Sequence, residues 1–220
     1  NFNAVKMLKV NEVNHHLVAH YLTILREKTT GKAQFKSSIE RISYVLAVEV
    51  FSYLKSEAKI VETPLMKAKG SKIKTKVVLL PILRAGLGMT EGFMELYPEI
   101  IVSHIGLYRD EENLKPVKYY FKFPQIKDKE NVHVIIVDPM VATGGSVIFT
   151  VEYLLSMGIK NITIVSLISA PEGINSIDKR FSAQEKEGMS FYTCKIDDKL
   201  NNKGYILPGL GDAGDRMFGT

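Results

Sequence analysis

Three glycine-bearing stretches hold the residues whose types and spacing could handle a phosphorylated ligand. The first runs Val134-Ile-Ile-Val-Asp138-Pro139-Met140-Val141-Ala142-Thr143-Gly144-Gly145-Ser146: an apolar run ends at a carboxylate, then a Thr-Gly-Gly-Ser turn leads into a helical stretch. Glycines let backbone come close to a ligand, and N–H groups at a helix start carry partial positive charge. With the hydroxyls of Thr143 and Ser146 they would hold a phosphate monoester, while Asp138 would accept hydrogen bonds from sugar hydroxyls. A plain strand-turn-helix capped by Ser146 is the competing reading. No Gly-Lys-Ser/Thr follows, so this is not a Walker loop. The second stretch, Pro81-Ile-Leu-Arg84-Ala-Gly86-Leu-Gly88-Met, sets an arginine between an apolar run and two glycines. That suits a diphosphate gripped by a planar fork, the alternative being a surface arginine in a turn. The third is the tail, Gly204 to Arg216. Its residues 209–214 match G-x-G-x-x-G in form, but a dinucleotide site needs a following helix and an acid ~20 positions on, and the sequence given stops at Thr220. The tail reads instead as backbone recognition of a small planar ligand.

These loops need elements to position them. Apolar runs at 77–82, 100–102, 134–137 and 162–168 suit strands buried on both faces of a parallel sheet. Helical stretches fall between them at 89–97 and 146–157, the latter stopped by Gly158. Two amphipathic helices are expected earlier, over 16–28 and 33–59, with Pro64 ending any continuation. The alternation describes a doubly wound α/β fold, in which ligands sit at the carboxyl ends of the strands. Residues 108–132 read as a charged hairpin inserted between sheet strands, suited to a lid, and the last 30 residues as a cap over the sheet rather than another sheet unit.

Composition narrows the classes. With 220 residues, 45% hydrophobic and 24% charged, the chain suits one α/β domain and excludes disorder. Its longest apolar run, Val77 to Leu83, falls far short of the ~20 residues a bilayer requires. No secretory signal is visible in the first ten residues, and the one cysteine, Cys194, cannot form an internal disulfide, which fits a reducing cytosol; it is expected to be a small core residue. The net charge of +5 is a small, dispersed excess, mostly lysine. Only six residues are arginine, which makes each a candidate anion ligand. Lys67, Lys69, Lys72, Lys74 and Lys76 form either an exposed loop or an anion- or RNA-contacting patch. His16 and His20 have i, i+4 spacing but no third ligand, and are read as structural. His104 and His133 flank strands with no obvious partner, and Ser169-Ala-Pro-Glu-Gly173 falls at the sheet edge that carries the loops.

All three loops, in this order, resemble the uracil phosphoribosyltransferase family, a branch of the type I phosphoribosyltransferases. The resemblance runs from about His15 (HHLVAHYLTILRE), through Val61-Glu-Thr-Pro-Leu65, to Thr220. DPMVATGGS is similar to that branch's loop for phosphoribosyl diphosphate (PRPP), and YILPGLGDAGDRMFGT to its uracil-binding hood. The resemblance implies a type I phosphoribosyltransferase fold: a mainly parallel sheet flanked by helices, with N-terminal helices and a C-terminal hood. The expected organisation is one domain over 1–220, comprising a helical segment at 1–60, the core sheet and PRPP site at 77–170, and the hood at 189–220. The implied reaction makes UMP and diphosphate from uracil and PRPP, in pyrimidine salvage. Arg84, Arg109 and Asp138 are the implied catalytic residues. PRPP contacts are implied for these three and for Pro139, Met140, Val141, Ala142, Thr143, Gly144, Gly145, Ser146 and Asp212; uracil contacts for Ile206, Gly211, Asp212 and Ala213.

The resemblance also implies magnesium carried by PRPP without a direct protein ligand, Asp212 acting through bound water. An allosteric role for GTP, a homodimer or higher homo-oligomer, a cytoplasmic location and no nucleic-acid or membrane partner complete it. Pro139 stands where most type I relatives have a second acid, so ribose and metal contacts must partly come from elsewhere. Uracil presents acceptor, donor and acceptor along O2, N3–H and O4, a pattern that backbone groups of a glycine turn can mirror. Two alternatives share the fold: an RNA-binding attenuator of the pyrimidine operon, and a transferase for another base.

Overall fold

Successive side chains of a strand point to opposite faces of its sheet, so a run that is apolar at every position must be covered on both sides. The computed structural model describes residues 7–109, the last by its backbone alone, and 116–220. In chain order the first elements are β1 (Lys9–Glu12), α1 (His16–Arg26), α2 (Lys32–Phe51), β2 (Ser56–Glu62), β3 (Lys67–Ile73) and β4 (Lys76–Leu83). A 3₁₀ turn (Ala85–Met89) then leads to α3 (Thr90–Leu96), β5 (Ile101–Val102), β6 (His104–Arg109), β7 (Pro116–Lys122), β8 (Val132–Val137) and β9 (Met140–Val141). The remainder is α4 (Gly145–Ser156), β10 (Asn161–Ser169), α5 (Pro171–Arg180), β11 (Met189–Ile196), β12 (Lys199–Leu200), β13 (Ile206–Leu207) and α6 (Ala213–Phe218).

Nine described strands form one sheet, ordered β1-β11-β10-β8-β4-β6-β7, with β5 beside β4 and β9 beside β10. Neighbours are parallel except β6 and β7. Val77, Leu79, Ile135, Val137, Val165 and Leu167 face one core with Leu25 of α1, Phe35, Ile39, Ile42 and Leu46 of α2, and Phe93 of α3. The alternating residues Val78, Leu80, Ile82, Val134, Ile136 and Ile164 face a second core, closed by Val147, Val151 and Leu154 of α4 and Ile177 of α5. Each such side chain contributes roughly 1.5–3 kcal/mol when fully buried. The doubly wound α/β expectation therefore holds, and the four apolar runs are β4, β5, β8 and β10.

Several boundaries differ from the sequence reading. The second helix stops at Phe51, not 59: Ser52 caps it, and Ser56–Glu62, exposed at every position, pairs as β2 with β3. The chain turns instead into the β2–β3 hairpin, where Pro64 is a turn residue; Thr63 Oγ1 accepts from the Leu65 and Met66 N–H groups at 3.2 and 3.0 Å. Of the clustered lysines, Lys67, Lys69 and Lys72 thus stand on the exposed strand β3, Lys74 lies in the connection that follows it, and Lys76 opens β4. The expected hairpin is present, but it is β6 with β7 and starts at His104, and β7 is the sheet's edge strand; of the expected lid, residues 110–115 lie outside the described residues. The sheet also exceeds 77–170: β1 joins it from the N-terminal segment and β11 occupies 189–196, so the hood starts only after Ile196. Thr193 hid that strand. It interrupts the apolar run, yet its hydroxyl lies buried within 3.0 and 3.1 Å of the Ser166 and Ser169 hydroxyls of β10. Cys194, on the same strand, is buried in the core as expected.

Candidate active site

The strand order brings the three glycine loops to one edge, the carboxyl ends of β4, β8 and β11. After Asp138, the short strand β9 pairs with the end of β10, and the loop's carbonyls turn into the sheet. Pro139 O accepts from Leu167 N at 3.0 Å and Ile168 N at 3.1 Å, and Val141 O from Ala170 N at 2.9 Å. Gly144 caps α4 with φ of +81°, and a Cβ there would meet Gly173 O at 2.8 Å. Only glycine combines that left-handed backbone with that close approach. The N–H groups of the first α4 turn have no partner within the helix, and so form a site for an anion. They border a cup of about 40 Å³ lined by Asp138 and by Met140 through Val147, room for little more than one tetrahedral group. Asp138 is half-buried at the strand tip. Burial pushes its carboxyl up to about 7, against the opposing pull of the Met140 N–H.

The second loop lies against the first. A Cβ on Gly86 would come 2.5 Å from Val137 O, so glycine lets the 3₁₀ turn rest on the strand end that presents Asp138. The Leu83–Arg84 peptide before it is cis. Arg84 is more than half exposed, and its Nη2 stands 3.7 Å from Asp215 Oδ1 of α6. A pair this exposed and this long contributes little, which leaves the guanidinium available to a ligand. Arg109 ends β6 opposite Pro116; its side chain is outside the described residues.

The tail packs directly on the second loop. The β12–β13 hairpin is followed by a cis Leu207–Pro208 bond, Gly209 and Gly211 at φ of +66° and +80°, and α6. Asp212 Oδ1 accepts from Asp215 N at 2.9 Å and so caps α6. Ile206 and Ala213 are buried, while Gly211 and Asp212 are exposed. Gly88 abuts Met217 of α6, joining the hood to the Arg84 loop. The Ser169–Gly173 segment joins it to the first loop: a Cβ on Gly173 would lie 2.4 Å from Ala142 O, and Glu172 Oε1 accepts from Leu200 N at 2.9 Å.

Arginine rarity proves a poorer guide than the sequence suggests. Arg41 lies 5.7 Å from the Tyr21 ring, Arg180 pairs with Glu152, and Arg26 and Arg216 bond to groups of the hood. Asp197 was overlooked, although it carries the signal that marked Asp138: an acid directly after a buried strand. His133 does have a partner, since its Nε2 lies 2.7 Å from Thr163 Oγ1, and burial holds the ring down near 4. His16 and His20 belong to no group of three or more His, Cys, Asp or Glu among the described residues.

The matched family model is that of uracil phosphoribosyltransferase, over residues 12–220. A uracil phosphoribosyltransferase from Finegoldia magna is 49% identical over 97% of this chain and 100% of its own length. One from Thermosipho melanesiensis is 46% identical, again over 97% and 100%. Among solved structures, a protein from Aquifex aeolicus superposes with a TM-score of 0.85 at 32% identity, covering 95% of this chain and 97% of its own.

Proposed function

The chain belongs to the uracil phosphoribosyltransferase family, and we propose that it joins uracil to the ribosyl group of PRPP, giving UMP and diphosphate in pyrimidine salvage, with the three loops dividing the work. The observation that carries this reading is the packing of the Gly86 turn between the Asp138 strand end and the hood. A phosphate-sized cup, an available arginine and a glycine turn are thereby brought to the same end of the sheet.

Uracil N1 bonds to the anomeric carbon as the bond from that carbon to diphosphate breaks, and the N1 proton passes to solvent. The α4 amides, Thr143 and Ser146 hold the 5′-phosphate, and Asp138 accepts from ribose hydroxyls. Arg84 and Arg109 stabilise the charge that grows on the leaving diphosphate, the main electrostatic task of such a step. Backbone at Ile206, Gly211, Asp212 and Ala213 reads the O2, N3–H and O4 edge. Cytosine would mismatch two of those bonds, at about 1–3 kcal/mol each. Orientation and exclusion of water supply the rest of the acceleration.

Magnesium, arriving on PRPP, would neutralise diphosphate charge. The site's hard oxygen donors suit it: Asp138 and Asp212 stand on two loops, and each already accepts a backbone N–H, which favours contact through bound water. The assembly we propose is a homodimer or larger homo-oligomer. The β2–β3 hairpin supports this, since it holds Ile60, Leu65 and Met66 at 71%, 94% and 72% exposure. A cytoplasmic location accords with a free, buried thiol at Cys194. No described helix is long and apolar enough to cross a membrane.

The test is a base panel. With Mg-PRPP the chain should release diphosphate and UMP one for one from uracil and give no nucleotide from cytosine, hypoxanthine or xanthine, with turnover lost in EDTA. Parallel assays with GTP read activation. Turnover of a purine, or none of uracil, would overturn the reading.

A further inference from the structure

Gly209 lies at the centre of the hood, within three residues of both Ile206 and Gly211, and its two backbone groups are held by Arg26, outside the hood, and by Asp197, where the chain leaves β11. Arg26, the last residue of α1, donates through Nη1 to Gly209 O at 2.8 Å and to Asp197 Oδ2 at 2.9 Å, and through Nη2 to Asp197 Oδ1 at 2.5 Å. Asp197 Oδ2 in turn accepts from Gly209 N at 2.9 Å. A single fork-on-carboxylate pair thus fixes both the N–H and the C=O of one turn residue. The pair itself is anchored at each end. Asp197 is 4% exposed and its own N–H donates to Ser169 O of β10 at 2.8 Å, while α1 packs into the core through Val18, Leu22 and Leu25.

The next residue is held in a reciprocal way. Arg216 of α6 donates to Leu210 O at 2.7 Å and reaches back to the last carbonyls of α1, at Leu25 and Glu27, with its guanidinium 4.3 Å from the Phe35 ring. Helix-end carbonyls lack partners within the helix, so the hood arginine satisfies groups that α1 leaves open.

We infer that Arg26 and Asp197 are positioning residues for uracil recognition, acting through Gly209 to hold the hood's backbone in register with the base edge. The inference rests on the reading of the hood as the base site. Neither side chain is hydrogen-bonded to the phosphate loop, which hangs on β10 and Gly173 through backbone contacts that the two side chains do not make. Loosening the pair therefore loosens base recognition and leaves phosphate recognition alone. A general structural role would move both together.

The experiment compares Arg26→Lys, which keeps the charge and loses the fork, and Asp197→Asn, which keeps the shape and loses the charge. Calorimetry measures binding of UMP and of ribose 5-phosphate, and steady-state assays give KM for uracil and for PRPP, each run well below the variant's own melting midpoint. Loss of charged hydrogen bonds should weaken UMP binding and raise the uracil KM by about tenfold to a hundredfold. Ribose 5-phosphate binding and the PRPP KM should stay within about twofold. If UMP and ribose 5-phosphate weaken in parallel, or neither changes, the inference is overturned. Should Asp197→Asn fail to fold, Arg26→Lys decides alone, because the Arg26 side chain is 24% exposed and its replacement can reach water. A native chain that does not turn over uracil contradicts the reading of the hood; a native chain that does, with unaltered variants, contradicts only the positioning role.

Discussion

Arg84→Ala lowers kcat/KM for PRPP by about 10²–10³, the loss typical of one preorganised group that stabilises transition-state charge. Its present partner, Asp215, sits 3.7 Å away with both side chains more than half exposed, so the substitution removes almost nothing from the fold. Melting temperature should therefore hold while turnover collapses, and UMP, which lacks the diphosphate, should bind nearly as before. Steady-state kinetics with PRPP varied, alongside a thermal melt, separates the two effects. Normal kinetics would show that the guanidinium does not meet the diphosphate.

At Asp138 the expected outcome has opposite signs in activity and stability. Burial raises the carboxyl to about 7, so in the free protein it is protonated below neutrality and ionised above. A carboxylate is the form that accepts from two sugar hydroxyls, so kcat/KM for PRPP should fall about tenfold per pH unit below 7. Stability runs the other way. Between the usual carboxylate range and pH 7 the folded chain keeps a proton that the unfolded chain has released, so the fold loses stability as pH rises through that window. Asp138→Asn should flatten the enzyme's share of the pH profile and lower kcat/KM by roughly 10–100-fold, the worth of one or two charged hydrogen bonds. The same change should raise the melting temperature at pH 8. Titration of the substrate's own phosphate persists in the variant and supplies the baseline. An unaltered KM and kcat for PRPP would remove Asp138 from ribose binding.

Much of the architecture was legible because burial on both faces leaves no freedom in residue choice. Val77–Ile82, Val134–Val137 and Ile162–Ile168 are apolar at nearly every position, and all three are central strands. The loops were legible for a similar reason, since Gly86 and Gly144 sit where a Cβ would strike backbone. The elements missed were those stabilised by polar contacts that composition does not register. β11 contains buried Thr193 satisfied sideways by serine hydroxyls, and the β2–β3 hairpin is nearly all exposed, with no core pattern to read. Arg26 and Asp197 escaped because they are 171 residues apart and meet only once α1 packs beside the sheet. Residue chemistry at strand ends was readable; pairing between distant elements was not.

The central claim is that one cleft holds a pentose phosphate at the Thr143–Ser146 turn and a pyrimidine under the hood. Its most direct measurement is a crystal structure of the chain with UMP bound. The account predicts phosphate oxygens within hydrogen-bonding distance of backbone N–H groups at the start of α4, and the uracil edge on main-chain atoms between Ile206 and Ala213. A phosphate seated elsewhere, or a base turned away from that tail, would contradict it.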